Sequence, residues 1–419
     1  MSDDFGPPPP TTLSAAESQL ADHHDKLASR PRGLGLGAGR SNDDDASKDV
    51  AAMYNSLNDR HRTLDGGSEI LHLRNLQNFI KSILFQRHLP KGNRNSGAAV
   101  LDLACGKGGD MLKFKASNIA TYVGIDVAAN SVRDAAVRYN GANGRQAMPF
   151  GATLLAGDYC DPTLPSRLPP NQLYHLASAQ FSMHYAFRSE ERARAFLSNA
   201  SCRLHPGGVL VCTTPDANVL VKRLRAAPSN QFGNSLYTVK FGATTCGPNK
   251  TIPAATTSPY GLAYTFALKE AVEECEEYLV HIPTLRKLCH EFDLELLYAT
   301  NFTEFFASEV YNHVPLLERM KALPENGYVS QEEWDVAHLY MVVAMRKRGG
   351  GGQGAPLEKN NGHKRVDPMS DIIYLNAEDE ETAKAMGGGA QAGSKRPRED
   401  AAKPEGETRE LVAYDADDL

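Results

Sequence analysis

The feature that most constrains this sequence is a regular alternation of short apolar runs with helical segments, which begins near residue 98. The first run, 99–103, ends in a Gly-rich turn, and a segment with helical spacing follows it. Strands that alternate with helices form a parallel sheet covered on both faces, so the pattern predicts a doubly wound α/β domain. The predicted strands of this sheet are 99–103, 122–126, 153–155, 173–180, 209–213, 294–298 and 339–345.

Further elements are predicted around this sheet. An amphipathic helix covers 70–89, and two more helices cover 189–203 and 281–292. Two stretches with strand-like alternation, 236–241 and 261–268, predict an antiparallel hairpin laid over one end of the sheet.

The two ends of the chain differ from this core in composition and charge. Residues 1–48 carry a net charge of −3 and residues 349–419 a net charge of −6, whereas the middle carries +3. Both ends are polar, acidic and rich in Gly, and such segments bury too little apolar surface to offset the entropy lost on ordering. We therefore predict disordered tails at 1–48 and 349–419 on either side of one globular domain, 49–348.

A compact basic cluster, Lys395-Arg396-Pro397-Arg398, interrupts the acidic C-terminal tail. Such a cluster can act as a nuclear import signal or simply keep the chain solvated, and the sequence alone favours neither interpretation.

Composition and patterning exclude several classes of protein. The seven cysteines include no C-x-x-C pair, which argues against a zinc site or a disulfide framework and for a reducing compartment. The longest apolar runs are far shorter than the ~20 residues of a membrane-spanning helix, and the acidic N-terminus does not resemble a signal peptide. We expect a soluble, intracellular protein.

The Gly-rich turn at 104–109 (ACGKGG) predicts a binding site for a nucleoside-bearing cofactor. A turn of this kind, placed between a strand and a helix, allows a ligand to approach the backbone closely. Asp126 ends the second strand, where a carboxylate in nucleotide-binding folds accepts hydrogen bonds from ribose hydroxyls. The turn alone also resembles a degenerate dinucleotide pattern, so a dehydrogenase is an alternative, although no residue set for hydride chemistry accompanies it.

Three further features favour S-adenosylmethionine over a dinucleotide. Asp102 precedes the turn, Gly157-Asp158 ends the third strand, and a Pro-Gly-Gly at 206–208 introduces the fifth. Each alone has an ordinary explanation as a cap or turn, but together and in this order they match the motifs of the doubly wound methyltransferases.

The sequence also resembles one family of such enzymes, the eukaryotic messenger-RNA cap (guanine-N7) methyltransferases. The resemblance covers about residues 49–346, the whole predicted domain. It implies a seven-stranded, Rossmann-like class I methyltransferase sheet with the inserted hairpin. The matching segments are 50–55 (VAAMYN), 73–81 (LRNLQNFIK), 101–110 (LDLACGKGGD), 180–185 (QFSMHY), 232–241 (FGNSLYTVKF) and 333–334 (EW).

The resemblance implies transfer of the sulfonium methyl group of S-adenosylmethionine to N7 of the guanosine cap of messenger RNA. Guanine N7 has an in-plane lone pair and no proton, so the reaction needs a correctly aligned nucleophile rather than a dedicated base. We therefore expect no catalytic nucleophile on the enzyme and no required metal.

For the cofactor, the resemblance implies contacts along the rim of the sheet. Lys81 is expected near the methionine carboxylate, Ala104 and Gly106 beneath the ligand, and Asp126 on the ribose. Asp158 is expected beside the adenine, with Gln180 and Tyr185 along the methionine. Ala104 replaces the Gly usual in the family, which predicts at most weaker binding.

For the cap, the resemblance implies cations for the triphosphate and a carboxylate with aromatic rings for the guanine. Met53 stands where the family generally has His, and Gln77 replaces one Asn of a pair, so the cap-side detail departs from the family pattern. The implied cap-binding residues are Gln77, Asn78, Lys107, Lys113, Arg138, His184, Glu277 and Tyr340.

Two other interpretations compete with this one. The same cofactor pocket could serve a methyltransferase of a small molecule or a protein, and a non-catalytic RNA-binding protein could retain the fold. The resemblance further implies capped RNA as a partner, a monomer, nuclear localisation and contacts with the transcription and capping machinery.

Overall fold

An eight-stranded sheet organises the part of the chain that the computed structural model describes, residues 68–90, 96–141, 146–252, 258–349, 356–376 and 380–381. The predicted tail 1–48, Met53 and the basic cluster 395–398 lie outside these residues.

The strands, numbered in chain order, include seven that closely match the predicted ones. They are β1 (Ser96–Gly97), β2 (Ala99–Asp102), β3 (Thr121–Asp126), β4 (Gly151–Ala156), β5 (Tyr174–Gln180), β6 (Leu204–Pro215), β7 (Gln231–Gly233), β8 (Tyr237–Phe241), β9 (Ala263–Leu268), β10 (Val272–Tyr278), β11 (Leu294–Asn301), β12 (Tyr340–Lys347), β13 (Glu358–Lys359) and β14 (Ile373–Tyr374).

The helices of the described residues are numbered in the same way. They are α1 (Leu71–His88), α2 (Met111–Ala116), α3 (Ala129–Tyr139), α4 (Leu164–Arg167), α5 (Met183–Ala186), α6 (Glu190–Ser201), α7 (Ala217–Ala226), α8 (Ile282–Glu291), α9 (Phe302–Glu309), α10 (Val314–Arg319) and α11 (Gln331–Ala337). Short 3₁₀ turns lie at Pro248–Lys250 and Val310–Asn312.

The central sheet has the strand order β11-β12-β6-β5-β2-β3-β4-β14. From β6 to β14 all neighbouring strands run parallel, and β12 pairs antiparallel with both β6 and β11. The carboxyl ends of β2 to β5 therefore lie along one edge, which we call the rim. The doubly wound fold predicted from the sequence is confirmed.

Both faces of the sheet are covered, as its apolar strands require. Alternate residues of β2 point to opposite faces, with Val100 in one core and Ala99 and Leu101 in the other. One core includes residues of α1, α2, α3 and α7, and the second includes residues of α5, α6 and α8.

The inserted hairpin is present and larger than predicted. β8 and β9 pair antiparallel, and β7 and β10 extend them into a four-stranded sheet of order β10-β9-β8-β7. Phe241, Tyr264 and Phe266 of this insert are buried in the same core as α1. The insert is thereby fixed to the domain beside the rim.

Residues 356–376 correct the predicted extent of the C-terminal tail. β13 pairs with β1, and β14 adds an eighth strand beside β4. Val366, Ile372 and Leu375 are buried against the domain. Buried apolar side chains and edge hydrogen bonds thus order a stretch that the sequence analysis assigned to the tail.

Two further findings concern the cysteines and the helices. All seven cysteines are free thiols. Within the described ranges, no helix combines the length and apolar character needed to cross a membrane.

Candidate active site at the rim of the sheet

Two groups of residues, most of them predicted from the sequence, meet at the rim, and we name them by the elements that carry them. The turn side consists of Lys81, the turn 104–110, Asp126, Asp158 and Gln180. The insert side consists of His184, Tyr264, Glu277 and Tyr340.

The carboxylate of Asp126 fixes the backbone of the Gly-rich turn. The backbone N–H groups of Gly106 and Ala128 donate to its two oxygens over 2.8 and 2.9 Å. Gly106 has a φ of +50°, a left-handed conformation that glycine adopts without strain. A Cβ built at Gly106 or Gly109 would meet no atom within 4 Å, so the turn borders open space.

Asp110, at the end of the turn, joins two lysines that the sequence interpretation assigned to different ligands. Lys81 Nζ lies 2.7 Å from Asp110 Oδ1, and Lys113 Nζ lies 2.9 Å from the same oxygen. Burial acts to raise the pKa of Asp110, but the two ammonium groups outweigh it and hold that pKa well below its usual range. Asp110 therefore stays ionised and fixes Lys81 against the turn.

Lys113, an implied cap-binding residue, is buried against the turn. Its side chain is 3% exposed, and its ammonium also donates to the carbonyl of Gly109 over 3.3 Å. Burial, opposed by Asp110 and aided by Lys81, lowers the pKa of Lys113 to about 8. The Lys113 ammonium is thus held against the turn by Asp110 and Gly109, and its contact with the cap stays a prediction.

Asp102, at the end of β2, is a buried carboxylate beneath the turn. Tyr122 donates a hydrogen bond to its Oδ2 over 3.0 Å, whereas its Oδ1 has no hydrogen-bond partner among the described residues. Burial, with the charge of Asp110 second, raises the pKa of Asp102 to about 7. This carboxyl group therefore exchanges its proton near neutral pH.

Asp158 is held at the end of β4 by two groups. The N–H of Cys160 donates to Oδ1 over 2.8 Å, and Arg192 of α6 forms an ion pair with Oδ2, also over 2.8 Å. Gly157 N donates to the carbonyl of Asp126 over 2.9 Å. A backbone hydrogen bond thus ties the residue before Asp158 to Asp126.

Gln180 and Tyr185 flank the other end of the turn side. The amide nitrogen of Gln180 donates to Ser178 Oγ and to the carbonyl of Val211, and its Oε1 is buried without a partner in the described part of the chain. Tyr185 lies on α5, where its hydroxyl contacts Cys275 Sγ at 3.6 Å. Ala104 is partly exposed beside them at the start of the turn.

On the insert side, Glu277 is the inward-facing member of an acidic run. Glu273, Glu274 and Glu276 are exposed, whereas Glu277 is only 4% exposed. Tyr264, its cross-strand partner, donates a hydrogen bond to Oε2 over 2.7 Å. The pairing register of β9 and β10 therefore selects Glu277 for the interior.

His184 lies beside this carboxylate. Its Nε2 is 3.4 Å from Glu277 Oε1, and neither ring nitrogen forms a hydrogen bond with the residues that the structure describes. The ring packs on that of Tyr185, with centroids 4.2 Å apart. A buried imidazole without hydrogen bonds costs free energy unless a ligand satisfies it.

Tyr340 completes the insert side within an aromatic cluster. Its ring meets that of Phe181 edge-on at 5.1 Å and that of Phe266 at 6.4 Å, and it packs on Phe302 at 5.8 Å. Phe181 has a φ of +53°, which a bulky side chain rarely adopts.

Phe181 connects the two sides. Lys81 Nζ lies 5.9 Å from the centroid of its ring, and Tyr340 packs on its edge. Residues predicted to contact different ligands are therefore separated by a single aromatic side chain.

The remaining predicted cap residues lie on α1, the turn and α3. Gln77 and Asn78 are partly exposed and lie one helical turn before Lys81, on the same face of α1. Lys107 forms an ion pair with Asp134 over 3.1 Å, and Arg138 follows Asp134 by one turn of α3. Both cations are partly exposed at the outer margin of the turn side.

The donors and acceptors of the rim fit a polar ligand. Several buried polar atoms at the carboxyl ends of the strands have no hydrogen-bond partner among the described residues. They are Asp102 Oδ1, Gln180 Oε1, Ser182 Oγ, both ring nitrogens of His184, and Thr214 Oγ1. Since buried polar groups are normally paired, this concentration marks a binding site. No group of three or more His, Cys, Asp or Glu within these ranges could hold a metal ion.

Sequence reasoning missed four residues of this site. Asp110 lies within a quoted motif, but its role appears only when α1 brings Lys81 to it. Phe181 likewise belongs to a quoted segment, and its strained backbone leaves no sequence signal. Arg192 and Tyr264 act through tertiary contacts with Asp158 and Glu277.

Comparison with known proteins identifies the family to which the chain is related. Residues 38–348 match the mRNA (guanine-N(7))-methyltransferase domain. The mRNA cap guanine-N(7) methyltransferase 1 of Oryza sativa is 37% identical over 322 residues, covering 75% of this chain and 85% of the relative. That of Arabidopsis thaliana is 36% identical, with 79% and 90% covered, and the Schizosaccharomyces pombe enzyme is 34% identical, with 74% and 84% covered.

Among solved structures, the CcbJ methyltransferase from Streptomyces caelestis superposes with a TM-score of 0.40 at 11% identity, covering 72% of this chain and 96% of the other. This superposition is too weak to carry an argument. The domain match spans more than half of the sequence, and the three relatives are covered over most of their length; the chain belongs to the mRNA (guanine-N7)-methyltransferase family.

Proposed function

We propose that the turn side binds S-adenosylmethionine, that the insert side binds the guanine of the RNA cap, and that the methyl group crosses between them beside Phe181. The reaction is that of the family: a methyl group passes from S-adenosylmethionine to N7 of the cap guanosine. The C–S bond breaks as the C–N bond forms, and the sulfur leaves as a neutral thioether.

The observation that carries this assignment is the set of unpaired buried polar atoms at the rim, with Glu277 facing inward beside them. Glu277 Oε2 already accepts from Tyr264, and the remaining lone pairs suit guanine N1–H and the exocyclic amine. His184, 3.4 Å from the same carboxylate, supports the edge of the base, and Phe181 and Tyr340 supply apolar surface.

On the turn side, the chain orients the donor rather than transforming it. Asp126 is fixed by two backbone N–H groups and is placed to accept from ribose hydroxyls. Lys81, held by Asp110, faces the rim beside Phe181 and is suited to a carboxylate. No proton needs to move at N7, so positioning and charge placement are sufficient for catalysis.

Phosphate recognition falls to the cations at the outer margin. Lys107 and Arg138 are partly exposed and lie near one another through Asp134. Lys113 forms an ion pair with Asp110, and we propose that its role is to fix the Gly-rich turn.

The deciding experiment incubates the full chain with labelled S-adenosylmethionine and either guanosine-capped or uncapped RNA of the same sequence. We expect label only in the capped RNA, recovered as N7-methylguanosine after nuclease digestion. Equal transfer to both RNAs, or none to either, would reject the cap assignment. A cap already methylated at N7 serves as the matched control.

The cellular context is part of this proposal. Because messenger-RNA capping accompanies transcription, we propose a nuclear location and contact with the capping machinery, with the protein acting as a monomer. Deleting 395–398 from a fluorescently tagged chain tests the import signal, since loss of nuclear accumulation is expected. Sedimentation of the purified protein tests the oligomeric state.

A further inference from the structure

The segment 356–376, which we call the strap, lies beyond the match to the family domain, which ends at residue 348. The strap nevertheless pairs with the rest of the domain at two points: β13 pairs with β1, and β14 pairs with β4. The contacts of the strap show which part of the domain it holds in place.

The strap begins at the edge of the sheet opposite the rim. The carbonyl of Pro356 contacts His175 Nε2 at 3.0 Å, and Glu358 accepts a hydrogen bond from Thr121 over 2.8 Å. It then passes the end of α3, where Asn140 exchanges two hydrogen bonds with the backbone of Val366. The strap therefore spans the sheet from its amino edge towards the rim.

At the rim, the strap ends against the turn that carries Asp158. Leu375 N donates to the carbonyl of Ala156 over 3.0 Å, which continues the parallel pairing of β14 with β4. A Cβ built on Gly157 would lie 2.6 Å from Leu375 Cγ. Leu375 thus occupies the volume that a side chain at position 157 would fill, and it is 7% exposed.

The same contacts bear on both predicted cofactor carboxylates. Gly157 directly precedes Asp158 in the sequence. Its backbone N–H also donates a 2.9 Å hydrogen bond to the carbonyl of Asp126. Tyr374 also accepts a hydrogen bond from Arg133 of α3, over 3.3 Å, and α3 follows directly after Asp126. The end of the strap therefore restrains the backbone of the nucleoside half of the turn side.

We propose that residues 372–375 are positioning residues for the cofactor: they fix the Gly157–Asp158 turn and so set the affinity for the nucleoside of S-adenosylmethionine. This inference rests on the proposed function of the turn side. It assigns a role in cofactor binding to a segment outside the family domain, and it predicts no direct effect on the cap.

The test compares Leu375→Asp with Met369→Asp in the full chain. Both changes add one carboxylate to the strap, but Met369 is 54% exposed and far less constrained. We expect Leu375→Asp to raise the Kd for S-adenosylhomocysteine about tenfold, measured by calorimetry without RNA, because a buried contact is lost. Met369→Asp should leave that Kd unchanged.

A role limited to stability would have a different signature. Our proposal requires that the KM for S-adenosylmethionine rises while kcat and the Kd for a capped dinucleotide stay within about twofold, less than 1 kcal/mol. Parallel loss of both affinities, or no loss of either, would overturn it. If Leu375→Asp does not fold, Leu375→Ala is judged by the same criteria, and Leu375→Met should restore wild-type affinity.

These measurements also separate the two proposals. A wild-type chain that binds S-adenosylhomocysteine but does not methylate capped RNA would reject the proposed function and leave the strap comparison intact. A chain that methylates capped RNA but whose Leu375 variants bind cofactor normally would reject only the role of the strap.

Discussion

The turn side and the insert side are built in different ways. On the turn side, carboxylates at strand ends are held by backbone N–H groups and ion pairs within a continuous parallel sheet, as Asp126 and Asp158 illustrate. On the insert side, Glu277, His184 and Tyr340 come from three separate elements and meet through side-chain packing. One half depends on backbone geometry and the other on the docking of the insert, so substitutions should separate them.

The largest effect is expected from Asp126→Ala. The change removes the acceptor for two backbone N–H groups and for the ribose, so affinity for S-adenosylhomocysteine should fall roughly a thousandfold. Affinity for a capped dinucleotide should change less than about threefold, because the insert side does not use this carboxylate. Calorimetry with each ligand alone measures both, and comparable losses for the two ligands would mean that the sides are not separate.

Glu277→Gln should reverse this pattern with a somewhat smaller effect. An amide cannot accept from guanine N1–H and the exocyclic amine together, so kcat/KM for capped RNA should fall roughly a hundredfold while cofactor affinity is retained. Glu276→Gln, at the exposed neighbouring position, is the matched control and should leave transfer intact. A stronger effect at Glu276 would show that the register of the acidic run has been misassigned.

A pH experiment probes the buried carboxyl beneath the turn. Because the pKa of Asp102 is raised to about 7, the folded state keeps a proton that the unfolded state has already lost between about pH 4 and pH 7. Its contribution to stability is therefore full at low pH and is lost as pH rises through about 7. Relative to Asp102→Asn, the wild-type free energy of unfolding should decrease by about 2 kcal/mol from pH 5 to pH 7.

Denaturant titrations of both proteins at the two pH values give this difference. A wild-type stability that increases with pH relative to Asp102→Asn would reverse the sign and place a depressed pKa at this carboxyl.

The smallest effects are expected from the outer cations. Lys107→Gln and Arg138→Gln should each raise the KM for capped RNA about threefold at low salt, because exposed cations contribute modestly to phosphate binding. The difference should shrink as ionic strength rises. Lys287→Gln, an exposed lysine on α8, controls for net charge, and an equal effect there would mean that the contribution is not local.

The sequence predicted the turn side in more detail than the insert side, for a physical reason. Strand ends and the turns that follow them are local, so Asp126 and Asp158 were placed at the rim from the apolar runs alone. Glu277 was selected by family resemblance, and only the pairing of β10 with β9 shows that it faces inward. The ion pair of Lys113 with Asp110, which Lys81 of α1 shares, is a tertiary arrangement that the sequence does not reveal.

The strap shows where composition misleads. Residues 356–371 contain few apolar side chains, and a polar, Gly-containing stretch is ordinarily assigned to a tail. The strap needs no core of its own, since Val366, Ile372 and Leu375 enter cores that the domain has already built. The signal that would reveal it is the short apolar run 372–375 (IIYL), which could add a strand to a free sheet edge.

β14 also has a consequence for how molecules of this protein behave towards one another. Without the strap, β4 would be an edge strand of six residues that pairs with β3 on one side only, and another chain could add a strand to its other side and begin to aggregate. β14 pairs with Leu155 and Ala156 and is itself only two residues long. An outermost strand this short offers an incoming chain almost no ladder to extend, which favours colloidal stability at high protein concentration.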